Sequence, residues 1–439
     1  MMSPINRRIF TSIRCPCHQR RRWYTSSNKN NATNIQTRTK RPKRGRLFFD
    51  RDYHIHLGGA IPPAFIADWI HEGHLALNDE IPDLVASSSS TKNRNIPMIT
   101  VRKALLKYRG VALHPLDLKG HDLFLSAYNA PAYTSLPTFL TLYRAYSKRN
   151  LLYKHASRIA RGACAHQYAD IRVSIPHPNE SLNEAKESPS IYAKRALDEM
   201  IYFHSCLLPG QKLFITFPRQ TFSTHKNWEY FASFVDLLES TIENSSDTNN
   251  NTPWLRSQHL AFDFAGQPLP LAETLPLLDK LRNTFPYAFI CYHHGEVCPH
   301  IPFSDRVRDT QLLLPYVNRI GHGLCLGLAV LGINPDDWGV DSTIDRTLLE
   351  NEKEVVAINK KLAYQCLHQM EKLKIGIEVS PTCNITLGGA RSERVLKEYV
   401  KEFLDCGVHV FVGTDDPGFL GTSLEKEIAI LGSVDKECT

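Results

Sequence analysis

Residues 53–60 read Tyr53-His54-Ile55-His56-Leu57-Gly58-Gly59-Ala60. Side chains two apart on a strand project to the same side, so His54 and His56 present both rings to one point while Ile55 faces into packing. Paired neutral imidazoles suit zinc, although two polar histidines on a strand can equally serve structure alone. The repeat of such strands along the chain decides between architectures. With 48–56 as the first, seven more β-rich runs follow at 170–175, 212–217, 259–264, 287–292, 317–321, 375–380 and 408–413. The segments between them favour helix: 151–167 and 190–206 place Leu, Ile, Ala and Tyr at three- and four-residue spacings, and Lys361–Lys374 does the same. Strands alternating with helices predict parallel βαβ units, which periodicity alone allows to close or stay open. Chemistry-capable residues fall at the ends of the first, fifth, sixth, seventh and eighth strands. That is where a TIM-type (β/α)₈ barrel gathers its active site, so the closed α/β barrel is the expected fold, apparently truncated after strand eight.

Composition narrows the function classes. With 42% apolar and 22% charged residues the chain has the makings of a folded globular protein. The formal charge of +7 is unevenly spread: residues 1–49 hold 13 Lys or Arg and no acid, leaving 39 basic against 45 acidic residues in the rest. A nucleic-acid partner is therefore not expected for the folded domain, because the basic footprint is confined to a tail. Residues 1–45 read as a basic, disordered, transit-like segment, implying a mitochondrial or other organellar address; a cytoplasmic protein with a plain basic extension is the alternative. Residues 46–439 read as one metal-dependent (β/α)₈ domain. No stretch approaches the roughly 18 apolar residues of a spanning helix, so no membrane association is expected. The 11 cysteines are scattered and read as reduced thiols. Ser87–Ser90 with the following Thr91–Asn95, and Asn244–Pro253, read as surface insertions; the connection 324–360 reads as a cover for the barrel mouth.

Three more motifs carry chemistry. After the fifth strand, His293 in Tyr292-His293-His294-Gly295-Glu296-Val297 can donate a third nitrogen, with His294 a bystander. In Asn318-Arg319-Ile320-Gly321-His322-Gly323, flanking glycines leave room beside a ring that is a candidate general base. In Val412-Gly413-Thr414-Asp415-Asp416-Pro417-Gly418, adjacent acids repel unless a cation compensates at least one of them.

These four motifs, in this order, resemble the adenosine deaminase family of the amidohydrolase superfamily. Phe262-Asp263-Phe264-Ala265-Gly266 looks like that family's Asp-Leu-Ala-Gly segment, and Glu378-Val379-Ser380-Pro381-Thr382-Cys383-Asn384 looks like its Glu-Val-Cys-Pro-Thr-Ser-Asn segment. The resemblance covers roughly residues 48–427. It implies that His54, His56, His293 and Asp415 ligate one Zn²⁺ per chain, that Glu296 hydrogen-bonds the purine ring nitrogen, and that His322 assists the attacking water. Asp416 and the Gly266 N–H would orient the ring. The implied partner is a small-molecule purine and the implied reaction is hydrolytic deamination of adenosine or a close 6-aminopurine. AMP, N6-methyl-AMP or adenine are alternative substrates, and a purine-binding barrel with weak turnover is the alternative from another class.

Two departures matter. Adenosine deaminases usually carry Asp after His-x-His-Leu, where it contacts ribose; Gly58 offers no such acceptor, which leaves base, nucleoside and nucleotide open. The Ser and Cys of the strand-seven motif are exchanged, giving Ser380 and Cys383, the latter read as a packing residue rather than a reactive thiol.

Overall fold

The computed structural model describes residues 43–61, 80–82, 98–100, 103, 149–162, 168–178, 187–244, 260–266, 268–295, 301–334, 350–386, 389–390, 392–432 and 434. Residues 1–42, the insertion expected at 87–95, all of the one expected at 244–253 except Asn244, and the Asp336-Asp337-Trp338 stretch lie outside them, as does Glu296.

The chain forms a single parallel sheet that curls on itself. Its strands are β1 (Leu47–Phe48), β2 (Asp52–His56), β5 (Ala169–Ser174), β6 (Lys212–Pro218), β7 (Ala261–Ala265), β8 (Phe289–His294), β9 (Arg319–His322), β10 (Gly376–Val379) and β11 (Val410–Val412). They lie in the order β1-β11-β10-β9-β8-β7-β6-β5-β2. A separate antiparallel pair, β3 (Glu80–Pro82) and β4 (Met98–Thr100), falls between the first two long strands in sequence. The sheet ends meet. β1 pairs with β11 through Leu47↔Val410 and Phe48↔Phe411, and a parallel bridge joins Ile55 to Asp415. The His56 N–H donates to the Asp415 carbonyl at 2.8 Å and the Asp415 N–H to the His54 carbonyl at 2.6 Å. Residues 47–56 thus act as one interrupted strand between β11 and β5, giving the expected eight-stranded closure.

Helices follow the strands: α1 (Arg149–Gly162), α2 (Pro189–Cys206), α3 (Trp228–Asn244), α4 (Leu271–Thr284), α5 (Phe303–Leu313), α6 (Leu324–Val330), α7 (Glu350–Leu373), α8 (Pro381–Thr386), α9 (Glu393–Asp405), α10 (Pro417–Leu420) and α11 (Leu424–Leu431). Side-chain oxygens of Ser188, Ser392 and Ser423 cap α2, α9 and α11, satisfying orphan N–H groups of their first turns. Helix α7 begins eleven residues before the expected 361, and α8 and α11 lie after strands seven and eight.

Alternation along each strand sorts the residues into two environments. One set, including Ile55, Ile171, Val173, Ile215, Phe217, Phe262, Phe264, Ile290, Tyr292, Ile320, Ile377 and Val410, joins the apolar core shared with the helices. The alternate set faces the barrel axis. There a small apolar cluster of Phe214, Ala261 and Cys291 adjoins a layer of buried charge. Arg172 reaches Glu378 at 2.5 Å and Asp263 at 3.5 Å, and Arg319 spans Asp170 and Glu378 at 3.1 Å each. Buried ions survive only when paired; strands two, four, six and seven each supply a member, so the layer ties the barrel wall across its axis. No helix among the described residues is long and apolar enough to cross a membrane.

Candidate metal centre

Above the charged layer, at the carboxyl ends of the strands, five groups converge. His54 and His56 project from β2 with their Nε2 atoms 3.3 Å apart, and the Asp415 Oδ1 stands 3.4 Å from each. His293, near the end of β8, has its ring centroid 4.6 Å from that of His54 and 5.1 Å from that of His56. His322, the last residue of β9, places its Nε2 3.3 Å from the His293 Nδ1 and 3.9 Å from the Asp415 Oδ2. All are buried except His56, which is half-buried.

Three of the rings are aimed by partners. Glu378 is held as a carboxylate: burial opposes its charge, but Arg172, His54 and Arg319 outweigh burial and keep it well below its ordinary range. It must therefore accept the His54 Nδ1–H, at 3.0 Å, which leaves the His54 Nε2 as the atom facing the cluster. Asn384 donates its amide to the Tyr399 hydroxyl at 2.9 Å, so its Oδ1, 3.0 Å from the His322 Nδ1, accepts from that ring. The His322 Nε2 then carries the lone pair. Asp263 accepts from the Thr216 hydroxyl at 3.2 Å and lies 3.3 Å from the His293 Nε2. The His294 ring turns elsewhere, toward the Arg306 carbonyl and the Thr310 hydroxyl, in keeping with a bystander.

Close backbone approach explains the glycines. A Cβ on Gly413 would lie 2.3 Å from that of His54, and one on Gly321 would press the His293 ring at 3.2 Å. A Cβ on Gly59 would lie 1.5 Å from the Asp416 Oδ1; Asp416 is buried against that opening. Gly266 adopts φ +83°, and its carbonyl, with that of His293, accepts from the Arg219 guanidinium. His322 and Asp415 both hold left-handed backbone at φ 64° without being glycine. Such strain costs on the order of 1–3 kcal/mol and persists only where the surroundings impose it; for Asp415 the two barrel-closing hydrogen bonds do so.

The arrangement fits a divalent cation. With the His54 Nδ1–H donated away, its Nε2 and the Asp415 Oδ1 are two acceptors facing one another beside the His56 Nε2, which a proton or a cation reconciles. Without a metal, the proton answers. Burial and Arg172 oppose a charged His54 ring, yet Asp415 and Glu378 outweigh them and hold its pKa up at about 9. Burial drives His56 well below its ordinary value and lowers His293, keeping both neutral, as metal ligands must be. The ligand atoms of His54, His56 and Asp415, and those of His54, His293 and His322, lie within 4.8 Å of one another in each set.

Fold and cluster together define a parallel β/α barrel with a group of candidate metal ligands at the carboxyl ends of its strands. No family model matches the sequence. A 65-residue segment is 43% identical to an aminodeoxyfutalosine deaminase of Streptomyces avermitilis; the match takes in 15% of this chain and spans 17% of that curated relative's length. Among solved structures the chain is similar to the N6-mAMP deaminase of Arabidopsis, at 15% identity and a TM-score of 0.47 over 89% of this chain and 88% of that one. It is also similar to a zinc-bound amidohydrolase of Burkholderia ambifaria, at 12% identity and a TM-score of 0.42 over 89% of this chain and 80% of that one.

Proposed function

We propose that this chain is a metal-dependent purine deaminase of the adenosine deaminase-like amidohydrolase family, releasing ammonia from adenosine or a close 6-aminopurine. The observation that carries the reading is the meeting of His54, His56 and Asp415, with His293 and His322 beside them, at one point on the barrel axis. His54, His56, His293 and Asp415 would hold one zinc ion. Zinc there supplies Lewis acidity, which makes water a usable nucleophile near neutral pH.

The chain's own groups do the rest. His322, its Nδ1–H fixed on Asn384, offers Nε2 to accept a proton from the attacking water. Glu296 follows Gly295 at the end of β8 and takes the role of proton donor to the purine ring nitrogen, which needs a dry pocket to keep its carboxyl protonated. Asp416, seated against Gly59, and the Gly266 N–H orient the ring. Residues 1–45 belong to the proposal as an organellar transit segment: fused to a reporter they should deliver it to mitochondria or another organelle, and cytosolic retention would overturn that address.

The test of the activity is a panel of adenine, adenosine, AMP and N6-methyl-AMP given to zinc-loaded protein, read by the ultraviolet change on forming the 6-oxopurine, with ammonia the co-product of the first three and methylamine that of the last. Adenosine turning over fastest supports the nucleoside reading. Preference for a phosphorylated substrate moves the assignment to a nucleotide deaminase. Full zinc occupancy with no 6-oxopurine formed from any of the four overturns deamination and leaves a purine-binding barrel.

A further inference from the structure

The two oxygens of Asp415 face different neighbours. Oδ1 lies 3.4 Å from the Nε2 atoms of His54 and His56, whereas Oδ2 lies 3.9 Å from the Nε2 of His322. On that second side stands Cys383, buried on α8. Its sulfur, a His322 ring nitrogen and an Asp415 oxygen all fall within 4.8 Å of one another. The three arrive from the end of β9, from α8 and from beyond β11, so the grouping is a product of the fold and not of local sequence.

We propose that His322, Cys383 and Asp415 form a second, inhibitory site for a thiophilic divalent cation such as zinc or cadmium, with Asp415 bridging it to the catalytic ion. The donor chemistry selects the ligand: sulfur, imidazole and carboxylate together favour a soft or borderline ion over magnesium or calcium. Zinc–ligand bonds of about 2.0–2.3 Å put tetrahedral donors roughly 3.3–3.8 Å apart, so the His322–Asp415 pair is already near its bonded separation. Carboxylate-bridged ion pairs about 3.5–4 Å apart are a known arrangement in hydrolases. Binding takes the Cys383 sulfur as thiolate, its proton passing to solvent. The consequence is loss of turnover, because the His322 Nε2 that binds an ion cannot accept a proton from water.

This inference rests on the reading of His322 as the proton acceptor beside a first metal ion, and one titration separates the two. Full-length protein carrying one equivalent of zinc is titrated with cadmium, and uptake is followed by equilibrium dialysis and by the ultraviolet thiolate-to-cadmium charge-transfer band. Wild type should take up a further equivalent with growth of that band while ammonia release falls about 100-fold, the lower range of what a positioned proton acceptor contributes. Cys383→Ser should keep the first equivalent and lose both the extra uptake and the band; Cys383→Ala repeats the comparison should the serine variant fold poorly. One equivalent in wild type with no further uptake, or a band unchanged in the Cys383 variants, overturns the second site and leaves the first intact. Failure to retain even one equivalent overturns both.

Discussion

The Asp415 backbone N–H donates to the His54 carbonyl at 2.6 Å, and the Asp415 carboxylate stands 3.4 Å from the Nε2 of the same histidine. One residue therefore closes the barrel with its main chain and completes the candidate metal centre with its side chain. The two roles are separable by substitution. Asp415→Asn keeps the backbone bonds and removes the negative charge. Saturating zinc should raise the melting temperature of wild type, since an ion bound only by the folded state adds about 2.7 kcal/mol at a hundred times its Kd. Asp415→Asn should melt near metal-free wild type and show no zinc-induced rise, measured by calorimetry.

Glu378 is the hub of the axial charge layer, touching Arg172, Arg319, His54 and the Cys291 thiol. Glu378→Gln leaves two buried guanidinium groups short of a counter-charge, at a cost of about 3–5 kcal/mol. It should also loosen the His54 ring and weaken zinc binding about 10–100-fold. Denaturant unfolding and competitive chelator titration read the two effects separately.

Asn384 fixes the tautomer of His322. Asn384→Ala should retain zinc and substrate binding while kcat falls about 100-fold, read in steady-state kinetics. An unchanged kcat would remove His322 from the proton-transfer role.

A methyl group at residue 59 has no room beside Asp416. Gly59→Ala should displace that carboxylate, raising KM for the purine by about tenfold or more, the scale of one lost hydrogen bond to a charged group, while zinc content stays the same.

Glu427, on the buried side of α11, accepts from the Thr382 N–H at 2.8 Å and from the Thr422 hydroxyl. Burial outweighs those bonds and pushes its pKa up to about 7 from 4.5. The folded chain thus holds this proton more tightly than the unfolded chain, so its stabilising contribution is full below about 4.5 and is lost as pH rises through about 7. Glu427→Gln should melt a few degrees above wild type at pH 8 and close to it at pH 5. An equal difference at both pH values would contradict the assignment.

The strand repeat and the His54–Ile55–His56 alternation were legible because both are local: period-two patterning places residues on faces without knowledge of the rest of the chain. What sequence could not show is set by pairing across the axis. Arg172 and Glu378 are 206 residues apart, and nothing local says that one will neutralise the other. A signal did exist, since Arg172 alternates with Ile171 and Val173 and so had to face the axis. Asp263 beside His293 was visible only as part of a resemblance, and the left-handed backbone of His322 and Asp415 had no sequence signature, both being non-glycine. Gly58 drew attention for the side chain it lacks. The neighbouring Gly59 proves to be the position whose missing side chain makes room for Asp416.

Three imidazoles and one carboxylate sharing an ion would be seen directly by X-ray absorption at the zinc edge, on full-length protein loaded with a single equivalent. The expected spectrum is a shell of nitrogen and oxygen scatterers only, with Zn–N near 2.0–2.1 Å, abolished in His56→Ala. A shell dominated by sulfur, or one unchanged by His56→Ala, would contradict it.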